Sequence, residues 1–137
     1  VSPQYTYLDA TLQGYPTAPT RTFILQRAPK HDVSVDVRYT LPVAMFGGEL
    51  EIGSAYSYRS EVYDDPDDSS GEIRPPRTLV DAYAVWTNGS GLRSVRLWGK
   101  NLGDEIYYDR MTDSADGSYA NLGAPRTYGI TLTQNFR

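Results

Sequence analysis

His31-Asp32-Val33-Ser34-Val35-Asp36-Val37-Arg38-Tyr39-Thr40 decides the fold class. Val33, Val35, Val37 and Tyr39 alternate with Asp32, Ser34, Asp36, Arg38 and Thr40, which is the two-residue period of a β-strand with one apolar and one wet face. Five further segments carry the same period, and none sustains the 3.6-residue period of a helix. On the amino side, QYTYLDATL at 4–12 stands off across a gap, 14–30, that holds three prolines and one short apolar stretch able to pair locally. On the carboxy side, LPVAMFGG at 41–48 is a short connection to ELEIGSAYSYR at 49–59. That strand sends Leu50, Ile52, Tyr56 and Tyr58 to one face and Glu49, Glu51, Gly53, Ala55 and Ser57 to the other.

The segment 61–77, with six acids, three prolines and a glycine, is a loop. TLVDAYAVWT at 78–87 is a strand of ambiguous phase, with apolar groups on both faces. The turn Asn88-Gly89-Ser90-Gly91 links it to LRSVRLWGKN at 92–101, because glycine and asparagine supply the positive φ of a tight hairpin. In that strand Val95 and Leu97 oppose Ser94, Arg96, Trp98 and Lys100. After a second long excursion, 102–125, the strand RTYGITLTQNF at 126–136 ends the pattern. Connections thus alternate long and short, which places all long loops at one end of an up-and-down sheet.

Composition narrows the function classes. The 137 residues, 15.3 kDa, suffice for one ordinary domain. Cysteine is absent and His31 is the one histidine, so the chain offers neither disulfides nor a thiolate or multi-histidine metal centre. Acidic residues outnumber basic ones 17 to 13, which argues against a nucleic-acid partner. Tyrosine is abundant, 12 residues against 3 Phe and 2 Trp. No apolar stretch approaches the roughly 18 residues of a transmembrane helix. The chain opens inside a strand pattern without a signal peptide, as expected of a processed chain or a piece of a larger one.

The wet face carries Asp32, Asp36, Arg38, Glu49, Glu51, Arg96 and Lys100. A soluble sheet would show these to solvent and pack its apolar face on a core; a barrel in lipid would turn them to a wet lumen. Tyr39 and Tyr58, at strand ends, favour the second arrangement, since amphipathic rings suit a headgroup boundary.

Leu97-Trp98-Gly99-Lys100-Asn101-Leu102-Gly103-Asp104-Glu105-Ile106-Tyr107-Tyr108, followed by Gly123-Ala124-Pro125-Arg126-Thr127-Tyr128-Gly129-Ile130-Thr131-Leu132 and Phe136, resembles the closing hairpin of TonB-dependent outer-membrane receptors. Tyr5-Thr6-Tyr7-Leu8-Asp9-Ala10, Ala28-Pro29-Lys30-His31, Tyr39-Thr40-Leu41 and Leu79-Val80-Asp81-Ala82 resemble the family more loosely. The resemblance implies an all-β fold of antiparallel up-and-down strands forming an arc of a transmembrane β-barrel of about 22 strands. Residues 1–137 would be its carboxy-terminal segment of about six strands, without the plug domain. It further implies residence in the bacterial outer membrane and TonB-energised import of a scarce nutrient, by default an iron–siderophore complex. The partners would be the remainder of the barrel and plug, the TonB system, the small-molecule substrate and outer-membrane lipid. Val33, Val35, Val37, Leu50, Ile52, Ile130, Leu132 and Phe136 would then face lipid. Loops 13–30, 60–78 and 102–125 would form the outer vestibule, with Arg21, Tyr63, Asp64, Asp65, Arg74, Tyr107, Tyr108, Arg110 and Tyr119 as candidate ligand contacts.

Other constellations read more plainly. Asp64, Asp65, Asp67 and Asp68 are carboxylates of the kind calcium takes, but Pro66 interrupts their spacing, and a solvated acidic loop explains them. His31 reads as a rim residue. The close carboxylates Asp9, Asp32, Asp36, Glu49 and Glu51 suggest the paired acids of glycosidases, yet they sit among Arg38, Arg96 and Lys100 on the wet face of plain strands. No nucleophile elbow or phosphate loop is present. No catalytic residue, cofactor or metal is therefore expected, and the chain reads as a non-enzyme. Two alternatives accompany the receptor reading. One is a secreted or periplasmic β-rich ligand- or glycan-binding module, with tyrosines stacked on sugar rings and Val33–Val35–Val37 and Leu50–Ile52 buried against a second sheet. The other is an oligomeric barrel closed by several six-stranded subunits.

Overall fold

A computed structural model describes residues 1–15, 18–41, 46–65 and 72–136, including all side chains there except those of 12, 14, 15 and 18–21. Twelve strands are present among them: β1 (Ser2–Tyr7), β2 (Thr11–Tyr15), β3 (Ala18–Ile24), β4 (His31–Thr40), β5 (Gly48–Arg59), β6 (Val62–Tyr63), β7 (Ile73–Arg74), β8 (Arg77–Asn88), β9 (Arg93–Lys100), β10 (Tyr108–Ser114), β11 (Gly117–Leu122) and β12 (Thr127–Gln134). Six of them form one antiparallel sheet in the order β1-β4-β5-β8-β9-β12. The long connections each fold into a two-stranded ribbon, β2-β3, β6-β7 and β10-β11.

Register sorts the side chains of the large sheet. Val33 pairs with Tyr58, Val35 with Tyr56 and Tyr39 with Ile52, so one face is apolar across β4 and β5. One residue along, Asp32 pairs with Arg59 and is bridged by it at 2.9 Å. The phase of β8, open from sequence, is fixed by its neighbours: Tyr83 pairs with Gly53 on β5 and with Trp98 on β9, and so joins the charged face. Trp86, paired with Leu50 and Val95, joins the apolar one.

Glycines make the close contacts across strands possible. A Cβ at Gly53 would collide with the Tyr83 ring, and one at Gly129 would lie 2.7 Å from the Trp98 ring. Both rings therefore lie over glycine backbone, filling the notch that a missing side chain leaves on the sheet.

The large sheet is open. Its edges are β1 and β12, and among the described residues no sheet closes on itself. The expectation of an arc of a transmembrane barrel is overturned by this arrangement: the strands divide into one six-stranded sheet and three separate ribbons, with no continuous closing wall. The binding-module alternative also needs amendment. It needs Val33–Val35–Val37 and Leu50–Ile52 buried under a second sheet, but Val37 is 42 % exposed and Ile52 43 %, and no second sheet covers them among the described residues. No described helix is long and apolar enough to cross a membrane.

The corner between β9 and the last excursion depends on Asn101. It holds φ at 50° and is nearly fully buried. Its Nδ2 donates to the carbonyls of Glu105 (2.9 Å) and Ala124 (3.2 Å), while its Oδ1 accepts from the Glu105 amide at 2.9 Å. Asn101→Asp keeps the size and the tolerance for positive φ but replaces the buried donor with an acceptor facing two carbonyls. Losing buried hydrogen bonds in this way costs roughly 1–3 kcal/mol for each group left unsatisfied. Urea denaturation of the variant is expected to show a loss of at least about 2 kcal/mol; an unchanged midpoint would contradict the role given to this side chain.

Candidate ligand-binding face

The charged face of the six-stranded sheet carries a cleft of about 380 Å³ whose lining includes Asp36, Arg38, Tyr83, Arg96, Trp98 and Lys100. One rung of the sheet makes its floor. Arg38 pairs with Gly53, Gly53 with Tyr83, Tyr83 with Trp98, and Trp98 with Gly129, so five strands contribute neighbouring residues on one face. Tyr83 leans over Gly53 on one side, and Trp98 leans over Gly129 on the other. The two rings splay apart, and the indole is fixed by an Nε1–H donated to Thr131 Oγ1 at 3.2 Å.

Tyr83 is the electrostatic hub. Its hydroxyl donates to Glu51 Oε1 at 2.9 Å and accepts from Arg38 Nε at 3.2 Å. The hydrogen bond to Tyr83, together with the negative charge of Glu51, holds the Arg38 guanidinium pKa above its ordinary value. The Arg96 guanidinium lies 4.5 Å from the centre of the Tyr83 ring, within cation–π range. Arg96 forms no ion pair among the described residues, and neither does Lys100. Asp81, one rung from the rings, accepts from the Asn101 amide at 2.9 Å and ties the cleft to the β9 corner.

The residues expected to form a vestibule lie elsewhere, on the ribbons and loops at one end of the sheet. Asp64, whose side chain is 4 % exposed, is central to them. It pairs with Arg74 at 3.0 Å and Arg27 at 3.5 Å, and its Oδ2 accepts from the Met111 amide at 2.8 Å. Arg74 also donates to the Asp109 carbonyl at 2.8 Å, and Glu72 accepts from the Asp113 amide at 2.6 Å. The charges of Asp64 and Arg74 are thus engaged within a knot that joins β6, β7, β10 and the turn after β3. Tyr63 donates to Glu61 at 3.2 Å beside this knot, and Asp65 is half-buried next to Asp64.

Tyr107 packs on Gly123, under the Arg77 guanidinium at 4.7 Å, and its hydroxyl accepts from the Ala124 amide. Tyr108 is half-buried opposite Leu122, whereas Arg110 and Tyr119 stand exposed on β10 and β11. Arg21 lies on β3, and its side chain falls outside the described residues, as do Asp67 and Asp68 of the acidic run. Among the described residues no three carboxylate or histidine groups gather as a metal site would require. His31 starts β4, with its ring 6.2 Å from Tyr5 and 5.3 Å from Tyr7 and its Nδ1 3.0 Å from the Tyr5 hydroxyl.

No family profile matches the chain, and neither a curated protein nor a solved structure shows significant similarity to it. With an open sheet and no such similarity, the likeness to TonB-dependent receptors does not stand. Its two hairpin motifs have a local cause: Asn101 and Asp104 both adopt positive φ in one turn, Asp104 pairs with Arg126 at 3.2 Å, and Asn101 binds the Ala124 carbonyl. They build a β-corner. The expectations that depended on the likeness are corrected with it, namely the outer-membrane location, the import of an iron–siderophore complex, and partnership with a barrel remainder, a plug, the TonB system and outer-membrane lipid.

Asp64→Ala is expected to release the ribbons while leaving the large sheet in place, because its partners all lie on the ribbons and their loops. Amide hydrogen exchange checks this: Met111 should lose protection, while β5 and β8 amides should keep theirs. Uniform loss of protection, or none, would show that the knot does not hold this end of the molecule separately.

Proposed function

We propose that this chain is a β-rich ligand-binding module whose site is the cleft on the charged face of the six-stranded sheet, and whose ligand is a glycan. The activity proposed is binding without turnover. One observation carries the reading: Trp98 and Tyr83 lie across the sheet over glycines, in a cleft whose walls hold both carboxylates and cations. Aromatic rings held against a sheet offer an apolar surface to the C–H faces of sugar rings, at little conformational cost on binding. Asp36 and Asp81 can accept from hydroxyls, and Arg38, Arg96 and Lys100 can donate. Where the binding-module alternative has tyrosines stacking on sugar rings, this reading rests on one tryptophan and one tyrosine of a single rung.

A panel of neutral and charged oligosaccharides, titrated calorimetrically, tests the proposal. At least one should bind, and Trp98→Ala should weaken it about tenfold or more, since stacking and burial of an indole contribute on the order of 1–2 kcal/mol. Tyr128→Ala, on the opposite face, should leave affinity unchanged. Failure of every oligosaccharide to bind, or binding indifferent to Trp98→Ala, would reject the reading.

A further inference from the structure

The row Arg96-Trp98-Lys100 on β9 goes beyond a stacking platform. Alternation places all three side chains on the same face, at successive steps of about 6.6 Å along the strand. Arg96 and Lys100 are exposed, and neither is neutralised by a carboxylate of the described residues, although Asp36, Glu51 and Asp81 share the face. Glu51 is engaged by Arg38 at 3.7 Å and by Tyr83. Asp81 is engaged by the Asn101 amide. Arg96 rests against the Tyr83 ring, a contact that does not neutralise its charge, so Arg96 and Lys100 both keep a charge for a ligand.

Resting on the glycan-binding reading, the geometry points to an acidic saccharide, a uronate-bearing chain, as the ligand of this cleft. Trp98 would take the face of one sugar ring, and Arg96 and Lys100 the carboxylates on either side of it. Guanidinium and ammonium groups pair with carboxylate by charge-assisted hydrogen bonds. Carboxylates in the same cleft, Asp36 foremost, would accept from sugar hydroxyls. Those carboxylates match the many hydroxyl donors of a saccharide, which a single-stranded nucleic acid lacks, although the rings and cations would serve it as well.

The experiment compares an oligogalacturonate with its fully methyl-esterified form, which keeps the rings and hydroxyls and removes the charge. The acid form is expected to bind at least tenfold more tightly at low salt, and this advantage should shrink as salt is added. Lys100→Gln should reduce the advantage several-fold, and Arg96→Gln with Lys100→Gln should abolish it, so that acid and ester bind alike. Equal affinity for acid and ester would overturn the acidic-ligand assignment and leave glycan binding standing. Absence of binding by both forms would overturn it too; the glycan reading then survives only if a neutral oligosaccharide binds in a Trp98-dependent way. Tighter binding of an oligothymidylate than of the oligogalacturonate would assign the cations to nucleic acid and overturn the inference.

Discussion

Each large ring on the charged face needs a neighbouring strand position without a Cβ, and the arrangement of that face follows from this steric constraint. Tyr83 takes the space over Gly53, and Trp98 takes the space over Gly129. Because the rings and glycines share one rung, the pairing of β5 with β8 and of β9 with β12 is tied to them. A shift by one residue would send every ring to the opposite face and bring side chains into its path. The hydrogen bonds of Tyr83 to Arg38 and Glu51, and of Trp98 to Thr131, then hold the rings in place.

The two faces of the sheet are consequently unlike in kind. The charged face is internally bonded and contains the cleft. The opposite face presents Tyr5, Tyr56, Leu97, Ile130 and Leu132 with little above them. Contiguous exposed apolar surface of this kind marks a contact surface in general. At the loop end, buried Asp64 gathers cations and a backbone amide from several segments, beside Phe23 of β3 and Val62 of β6, the buried apolar side chains among the described residues.

Alternation in residues 31–40 and 49–59 was enough to read the strands and their faces, because period-two patterning is a local property. Pairing is not local. The importance of Gly53 and Gly129 could not be seen until β5 met β8 and β9 met β12, and the ambiguous phase of β8 concealed Tyr83. A signal for the cleft did exist in Arg96-Trp98-Lys100, a tryptophan between two cations on a wet face, but it reads equally as a charge-laced surface. The ribbons β6-β7 and β10-β11 are not legible because their strands are short, as brief as Val62–Tyr63 and Ile73–Arg74, and sit within acid- and glycine-containing excursions without an apolar period; Asp64 and Glu72 bind across to β10. The hairpin motifs around Asn101 and Arg126 were misassigned to a family because a corner built from positive-φ Asn and Asp carries a distinctive sequence for purely local reasons.

Two tryptophans on opposite faces provide the most direct check. Trp98 lies in the cleft and Trp86 on the apolar face, so each indole N–H gives a separate nuclear magnetic resonance signal reporting one side of the sheet. Titration with an oligogalacturonate is predicted to move the Trp98 indole signal and leave that of Trp86 in place. Movement of the Trp86 signal alone, or of neither while the ligand binds, would contradict the assignment of the binding site to the charged face.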